Sequence, residues 1–175
     1  MMWVALFSQT GSEIVELSKN IGRWPDVILR DNAVNEEFIN NELYQYQIRT
    51  HDEIVDYLGT LDEDVLITLH GYLRILPELP HTVYNGHPAL CHRFPELKGY
   101  NPQEKTWNNI KEYPIIGSII HEVTDEVDGG RIVKEVTYTN RVETKDEMYD
   151  KLREASLQCW LHFMRDNLDD RSDQT

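Results

Sequence analysis

Residues 3–7, WVALF, are apolar at every position and break off into SQTGSE, and no other feature limits the fold as strongly. A continuous apolar run of this length reads as a strand buried on both faces, and the small polar residues after it mark a passage into a helix. Ile14, Leu17, Ile21 and Trp24 recur at helical spacing, with Glu13, Glu16, Lys19 and Asn20 on the other faces. Thr10 and Glu13 match a capping box at the start of that helix.

DVILR at residues 26–30 predicts a second strand. Thr50 and Glu53 form another capping-box pattern ahead of Ile54, Val55 and Leu58, and DVLITLHG at residues 64–71 reads as a second fully buried strand. Strands of this kind alternating with helices predict an α/β fold with a mostly parallel central sheet and helices on both faces.

After Gly71 the chain turns rich in proline, glycine and histidine, and residues 72–107 predict a long loop in which only TVYN resembles a strand. IIGSIIHEVTD and RIVKEVTYT then flank EVDGG, giving two strand-like segments around a turn. Thr144 and Glu147 supply a third capping-box pattern, and Met148, Leu152, Ala155, Cys159 and Phe163 mark one face of a long C-terminal helix. The length, 175 residues, suits one domain over residues 1–168 without internal repeats, and LDDRSDQT predicts a disordered tail over 169–175.

A formal net charge of -14 argues against a nucleic-acid partner, whose phosphates require clustered cations, but leaves room for a small anionic ligand. Cys91 and Cys159 belong to no CxxC pair, which fits unreactive thiols in a reducing, cytoplasmic setting. The N-terminal apolar run has no basic region before it and is too short for a signal peptide or a membrane span.

Two short segments could carry chemistry. In YNGHPAL, Asn85-Gly86 is a favoured turn pair, yet an extended backbone there would set Asn85 and His87 on one side, an amide and an imidazole facing the same reacting atoms. An amide N–H donor can hold a carbonyl oxygen as negative charge builds on it, and an imidazole can do the same or move a proton. In HEVTDEVDGG, Asp128 sits at a bend where it could orient His87 or accept a proton, and the bland alternative is an acidic turn. His70, His81, His87, His92 and His121 show no metal-ligand spacing, so no metal is expected. Thr10, Gly11, Ser12 and Glu13 could line a helix N-terminus that holds a phosphate, or simply start a capped helix.

LHGYLRILP, NGHPAL, VTDEVDGG and DEMYDKLREAS, in this order over residues 64–160, resemble the folate-dependent formyltransferases, most of all the glycinamide ribonucleotide branch. The resemblance implies a Rossmann-like fold and transfer of a formyl group from 10-formyltetrahydrofolate, a co-substrate, to the amine of a small acceptor, with a monomer or homodimer doing the work. It implies that Asn85, His87 and Asp128 form the catalytic set. It places the pteridine beside Leu73, Arg74, Ile75 and Leu76 and beside Glu122, Val123, Thr124 and Asp125. A relative that hydrolyses the same folate would use the same three residues with water as nucleophile, a sugar N-formyltransferase is a further alternative, and a non-catalytic folate-binding protein would need no such set.

The resemblance breaks at the phosphate loop, where Gln9 stands for a glycine and Glu13 brings a negative charge. The expected acceptor is therefore not glycinamide ribonucleotide itself, or it binds its phosphate elsewhere. The short first half and the absence of anything like an RNA-binding extension make tRNA a poor acceptor.

Overall fold

The computed structural model describes residues 1–169, and all but the first residue of the expected tail lies outside them. By contacts the chain divides into two compact units, Met1–Asn85 and the part from Gly86 onward. The strands and helices are β1 (Met2–Phe7), α1 (Ser12–Ile21), β2 (Val27–Arg30), β3 (Tyr46–Ile48), α2 (His51–Gly59), β4 (Val65–Leu69), β5 (Val83–His87), α3 (Pro102–Asn108), β6 (Ile115–Glu122), β7 (Ile132–Thr139) and α4 (Lys145–Met164). Their arrangement is the expected mostly parallel α/β kind.

In the first unit the strands run β3-β2-β1-β4-β5, and every pair is parallel. Trp3, Val4, Ala5, Leu6 and Phe7 are all fully buried, as a central parallel strand covered on both faces requires. The one polar atom that β1 carries inward is satisfied, because the Trp3 indole Nε1 donates to Thr68 Oγ1 of β4 at 2.9 Å. Strand order departs to opposite sides of β1, towards β2 and towards β4. The loops after the carboxyl ends of β1 and β4 thus lie where open α/β sheets hold ligands. They are tied together: Ser8 N donates to Gly71 O at 3.1 Å, and Leu73 N donates to Ser8 Oγ at 2.9 Å.

The capping expectations meet different outcomes. At α2 both halves of the box form between Thr50 and Glu53. At α4, Thr144 accepts from Glu147 N, while the Glu147 carboxylate reaches Glu143 N instead. At α1 the box is absent: Gly11 is the N-cap, in the left-handed region at φ 72, with no side-chain cap. A left-handed turn at Gly11 carries Thr10 out of capping position, and its Oγ1 accepts from Ser12 N at 3.2 Å.

In the second unit β6 and β7 pair antiparallel, and the register slips between Ile120 and His121, a β-bulge. α4 covers this hairpin with Met148, Leu152, Ala155 and Cys159 buried, and Ser118 Oγ of β6 donates to Leu152 O at 3.1 Å. A second core gathers Ala89, Leu90, Cys91, Leu97, Tyr113, Ile116 and Ile119 around the same helix.

The expected loop over residues 72–107 is more structured than its composition suggests. It contains β5, a 3-10 turn at Pro95–Leu97 and α3, whose Asn101 N-cap is left-handed at φ 52. Prolines at the first positions of both turns start them instead of breaking them. In the same way, residues 31–45, which show no clear period, hold a 3-10 turn at Glu36–Phe38 ahead of β3.

Candidate active site

Asn85 and Gly86 lie inside β5, so the turn reading of this pair is wrong. The glycine answers to packing: a Cβ on Gly86 would stand 2.7 Å from the Trp160 indole Nε1 of α4. Asn85 pairs with Leu69 of β4, and His87, two residues on, shares its face of the strand. Pro88 ends the strand, and Ala89 N turns back onto His87 O at 2.9 Å.

The His87 side chain is almost wholly buried, and its two ring nitrogens meet different groups. Nε2 lies 2.9 Å from the Leu97 carbonyl oxygen, which can only accept, so Nε2 carries a proton. Nδ1 faces Asp128 Oδ2 at 3.4 Å. Burial pulls the His87 pKa below its ordinary value, against the opposing pull of the Asp128 charge. The neutral ring therefore turns a basic lone pair towards the carboxylate.

Asp128 is held on three sides. Its backbone is left-handed at φ 53, which Asp tolerates better than most residues, and Gly99 N donates to Oδ2 at 2.7 Å. His121 Nε2 lies 3.2 Å from Oδ1. Burial pushes the Asp128 carboxyl up, but the His121 hydrogen bond, the His87 charge and the Gly99 N–H together outweigh it and hold the pKa below its ordinary value. Gly130 is needed for this turn to close, since a Cβ there would stand 1.7 Å from the Glu122 carbonyl oxygen.

The other expected residues are placed as follows. Glu13 does not turn back on its helix; its carboxylate pairs with His70 Nδ1 at 2.8 Å, and His70 Nε2 reaches Thr68 Oγ1 at 2.9 Å. Ser12 Oγ accepts from Asn40 Nδ2 at 3.2 Å, and Asn40 N from the next loop donates to Thr10 O at 2.8 Å. Leu73 and Ile75 expose 40% and 73% of their surface, leaving apolar faces open, while Leu76 is buried. Arg74 Nε donates at 3.0 Å to Asp31, which is fully buried. In the later segment Glu122 pairs with Arg131, Thr124 Oγ1 accepts from Glu126 N at 3.3 Å, Val123 is half-buried and Asp125 is exposed.

Three contributors escape the sequence reading. Leu97 and Gly99 act through backbone atoms, which leave no side-chain signature, although a Gly in a proline-flanked loop is a faint one. His121 stands out only as one histidine among several, seven positions before Asp128 and across a turn. Among the described residues no cluster of His, Cys, Asp or Glu forms a metal site.

Residues 13–169 match the sequence pattern of the formyl transferase family. This chain belongs to that family. It is 36% identical to the phosphoribosylglycinamide formyltransferase of Haemophilus influenzae over 112 residues, covering 61% of this chain and 45% of that protein. It is 30% identical to the enzyme of the same name from Dictyostelium discoideum over 135 residues, 68% of this chain and 62% of that one. The chain thus spans about half to three-fifths of the curated relatives it matches. The crystal structure of phosphoribosylglycinamide formyltransferase from Anaplasma phagocytophilum superposes with a TM-score of 0.76 at 23% identity, covering 97% of this chain and 88% of that one, and shows the same fold.

Proposed function

We propose that this formyltransferase moves a formyl group from 10-formyltetrahydrofolate to the amine of a small acceptor, glycinamide ribonucleotide or an analogue. The observation that carries the reading is the buried His87–Asp128 pair, two residues along one strand face from Asn85. Its parts fit the chemistry. Asn85 donates its amide N–H to the formyl oxygen as negative charge gathers there. His87, basic at Nδ1 and neutral by burial, takes the proton that the amine sheds on attack. Asp128 supplies the counter-charge, and the proton passes on to the departing folate nitrogen, so the pair ends the cycle as it began.

Leu73, Arg74, Ile75 and Leu76 provide one lining for the folate ring, supported by the exposed apolar faces of Leu73 and Ile75. Glu122, Val123, Thr124 and Asp125 provide a second. Thr10, Gly11, Ser12 and Glu13 face the acceptor. The Glu13 carboxylate and the internal use of Ser12 N by Thr10 weigh against a phosphate there, and favour an acceptor that is neutral at this point. In this reading the protein works in a reducing cytoplasm, which keeps its two buried cysteines as free thiols.

The test is product analysis with a panel of amines, phosphorylated and not. A formylated amine appearing with loss of 10-formyltetrahydrofolate establishes transfer and identifies the acceptor class. Formate released at the same rate whatever the amine would instead make the enzyme a hydrolase.

A further inference from the structure

We infer that Glu13, held in place by His70, accepts a hydrogen bond from a hydroxyl group of the acceptor, so that this enzyme takes a hydroxylated amine that carries no phosphate at this point. The inference deepens the proposed reaction and rests on it for its catalytic meaning. The His70 side chain is fully buried, and its Nδ1 lies 2.8 Å from a Glu13 carboxylate oxygen, which can only accept, so Nδ1 carries a proton. His70 Nε2 is fixed in turn by Thr68 Oγ1 at 2.9 Å, and that hydroxyl oxygen also takes the Trp3 indole N–H. Buried side chains of β1 and β4 therefore set where the carboxylate stands. The Glu13 side chain is 30% exposed, and among the described residues its second oxygen has no partner. One oxygen is anchored, and the other is left for a donor from outside the chain.

The surroundings favour a hydroxyl over a phosphate. An anion at a helix N-terminus is held by free backbone N–H groups. Here Ser12 N already donates to Thr10 Oγ1 at 3.2 Å, and Asn40 Nδ2 donates to Ser12 Oγ at 3.2 Å. A Cβ on Gly11 would stand 2.6 Å from Leu43 Cδ2, so the loop after β2 lies against this helix end. The Glu13 carboxylate adds a negative charge where a phosphate would come. A hydroxyl meets the opposite conditions, since it donates to a carboxylate and still accepts. The exposed Gln9 supplies the complementary group: its amide rests against Gly71, the residue after His70, where a Cβ would stand 3.2 Å from Oε1. Carboxylate and amide thus lean on consecutive residues of one loop, an acceptor beside a group that both donates and accepts.

Glycinamide riboside, its phosphate ester glycinamide ribonucleotide, and a deoxy riboside lacking the hydroxyl that the phosphate esterifies form the test set. In the wild type the riboside should have the lowest KM, with both other amines weaker by about tenfold or more, the worth of one hydrogen bond to a charged group. Glu13→Ala should raise KM for the riboside by about the same factor, keep kcat within about twofold, and leave the deoxy riboside where it was. Glu13→Gln, whose amide oxygen still accepts, should recover most of the affinity for the riboside that Glu13→Ala loses. His70→Leu releases the carboxylate and should raise KM for the riboside while kcat holds. His70→Asn, which offers an amide N–H in place of Nδ1, should restore part of that loss. A wild type that prefers the ribonucleotide, or a deoxy riboside used as well as the riboside, overturns the inference and leaves formyl transfer standing. Calorimetric binding of the three amines in the absence of folate separates the two claims. The expected order of affinities in a protein that transfers no formyl group would uphold the hydroxyl contact and sink the proposed reaction.

Discussion

At the scale of single residues the proposed reaction depends on a division of labour that net charge does not reveal. His87 must be neutral to accept a proton, and burial keeps it so; Asp128 must be ionised, and its three neighbours keep it so. In the proposed reaction Asn85 has the simpler task of holding developing charge. Asn85→Ala should therefore cost about 3 kcal/mol of transition-state stabilisation, roughly a hundredfold in kcat, with folate binding nearly unchanged. Steady-state kinetics together with a folate titration would check this; an equal fall in affinity would mean that the amide serves binding. Glu13 is the second residue with a separable role. If the proposed acceptor carries a phosphate to the α1 N-terminus, the Glu13 carboxylate, paired with His70, would oppose it there. Glu13→Gln should lower KM for a phosphorylated amine and leave an uncharged amine unaffected. An unchanged KM for the phosphorylated amine would show that repulsion plays no part.

At the scale of elements, the placement of His87 depends on how its neighbour Gly86 packs on α4. The Trp160 indole occupies the space a side chain at position 86 would need. Gly86→Ala should cost about 1 to 3 kcal/mol, the usual penalty for overpacking, and should lower kcat by displacing the strand that carries His87. Urea unfolding and kinetics on the same preparation would show both losses; a stable and fully active variant would contradict this packing account. This is also where the limits of the sequence lie. Continuous apolar runs made β1 and β4 legible, and helical spacing made α1, α2 and α4 legible, because burial on one or both faces leaves a period. Asn85 and His87 were legible only through their order relative to Asp128. Asn85-Gly86 alone reads as a turn, since nothing local announces an indole from a distant helix. The box at Thr10 failed because a single left-handed glycine overrides a spacing pattern, and α3 stayed hidden because it is short and starts at a proline.

At the scale of the whole molecule, the same buried groups make folding depend on pH. His87 has a folded pKa below its unfolded one, so the unfolded chain takes up a proton first as pH falls through the ordinary histidine value, and stability drops from there. Asp128, also depressed, adds stability that is present above the ordinary carboxylate range and is lost as pH falls through its lower folded value. The signs agree. Urea midpoints should fall between pH about 7.5 and pH about 5.5, and fall less in a His87→Gln variant, for which this source of proton uptake is gone. Equal slopes in the two proteins would place the titrating group elsewhere.

In the proposed reaction one buried imidazole–carboxylate pair performs formyl transfer. Its most direct test is the absorbance change as 10-formyltetrahydrofolate becomes tetrahydrofolate, followed in wild type and His87→Ala at saturating folate with an amine acceptor. The expected result is turnover in the wild type, a fall of at least about a hundredfold in His87→Ala, and similar folate affinity in both, as for loss of a proton-transfer group. Full turnover in His87→Ala, or a wild type that binds no folate, would contradict it.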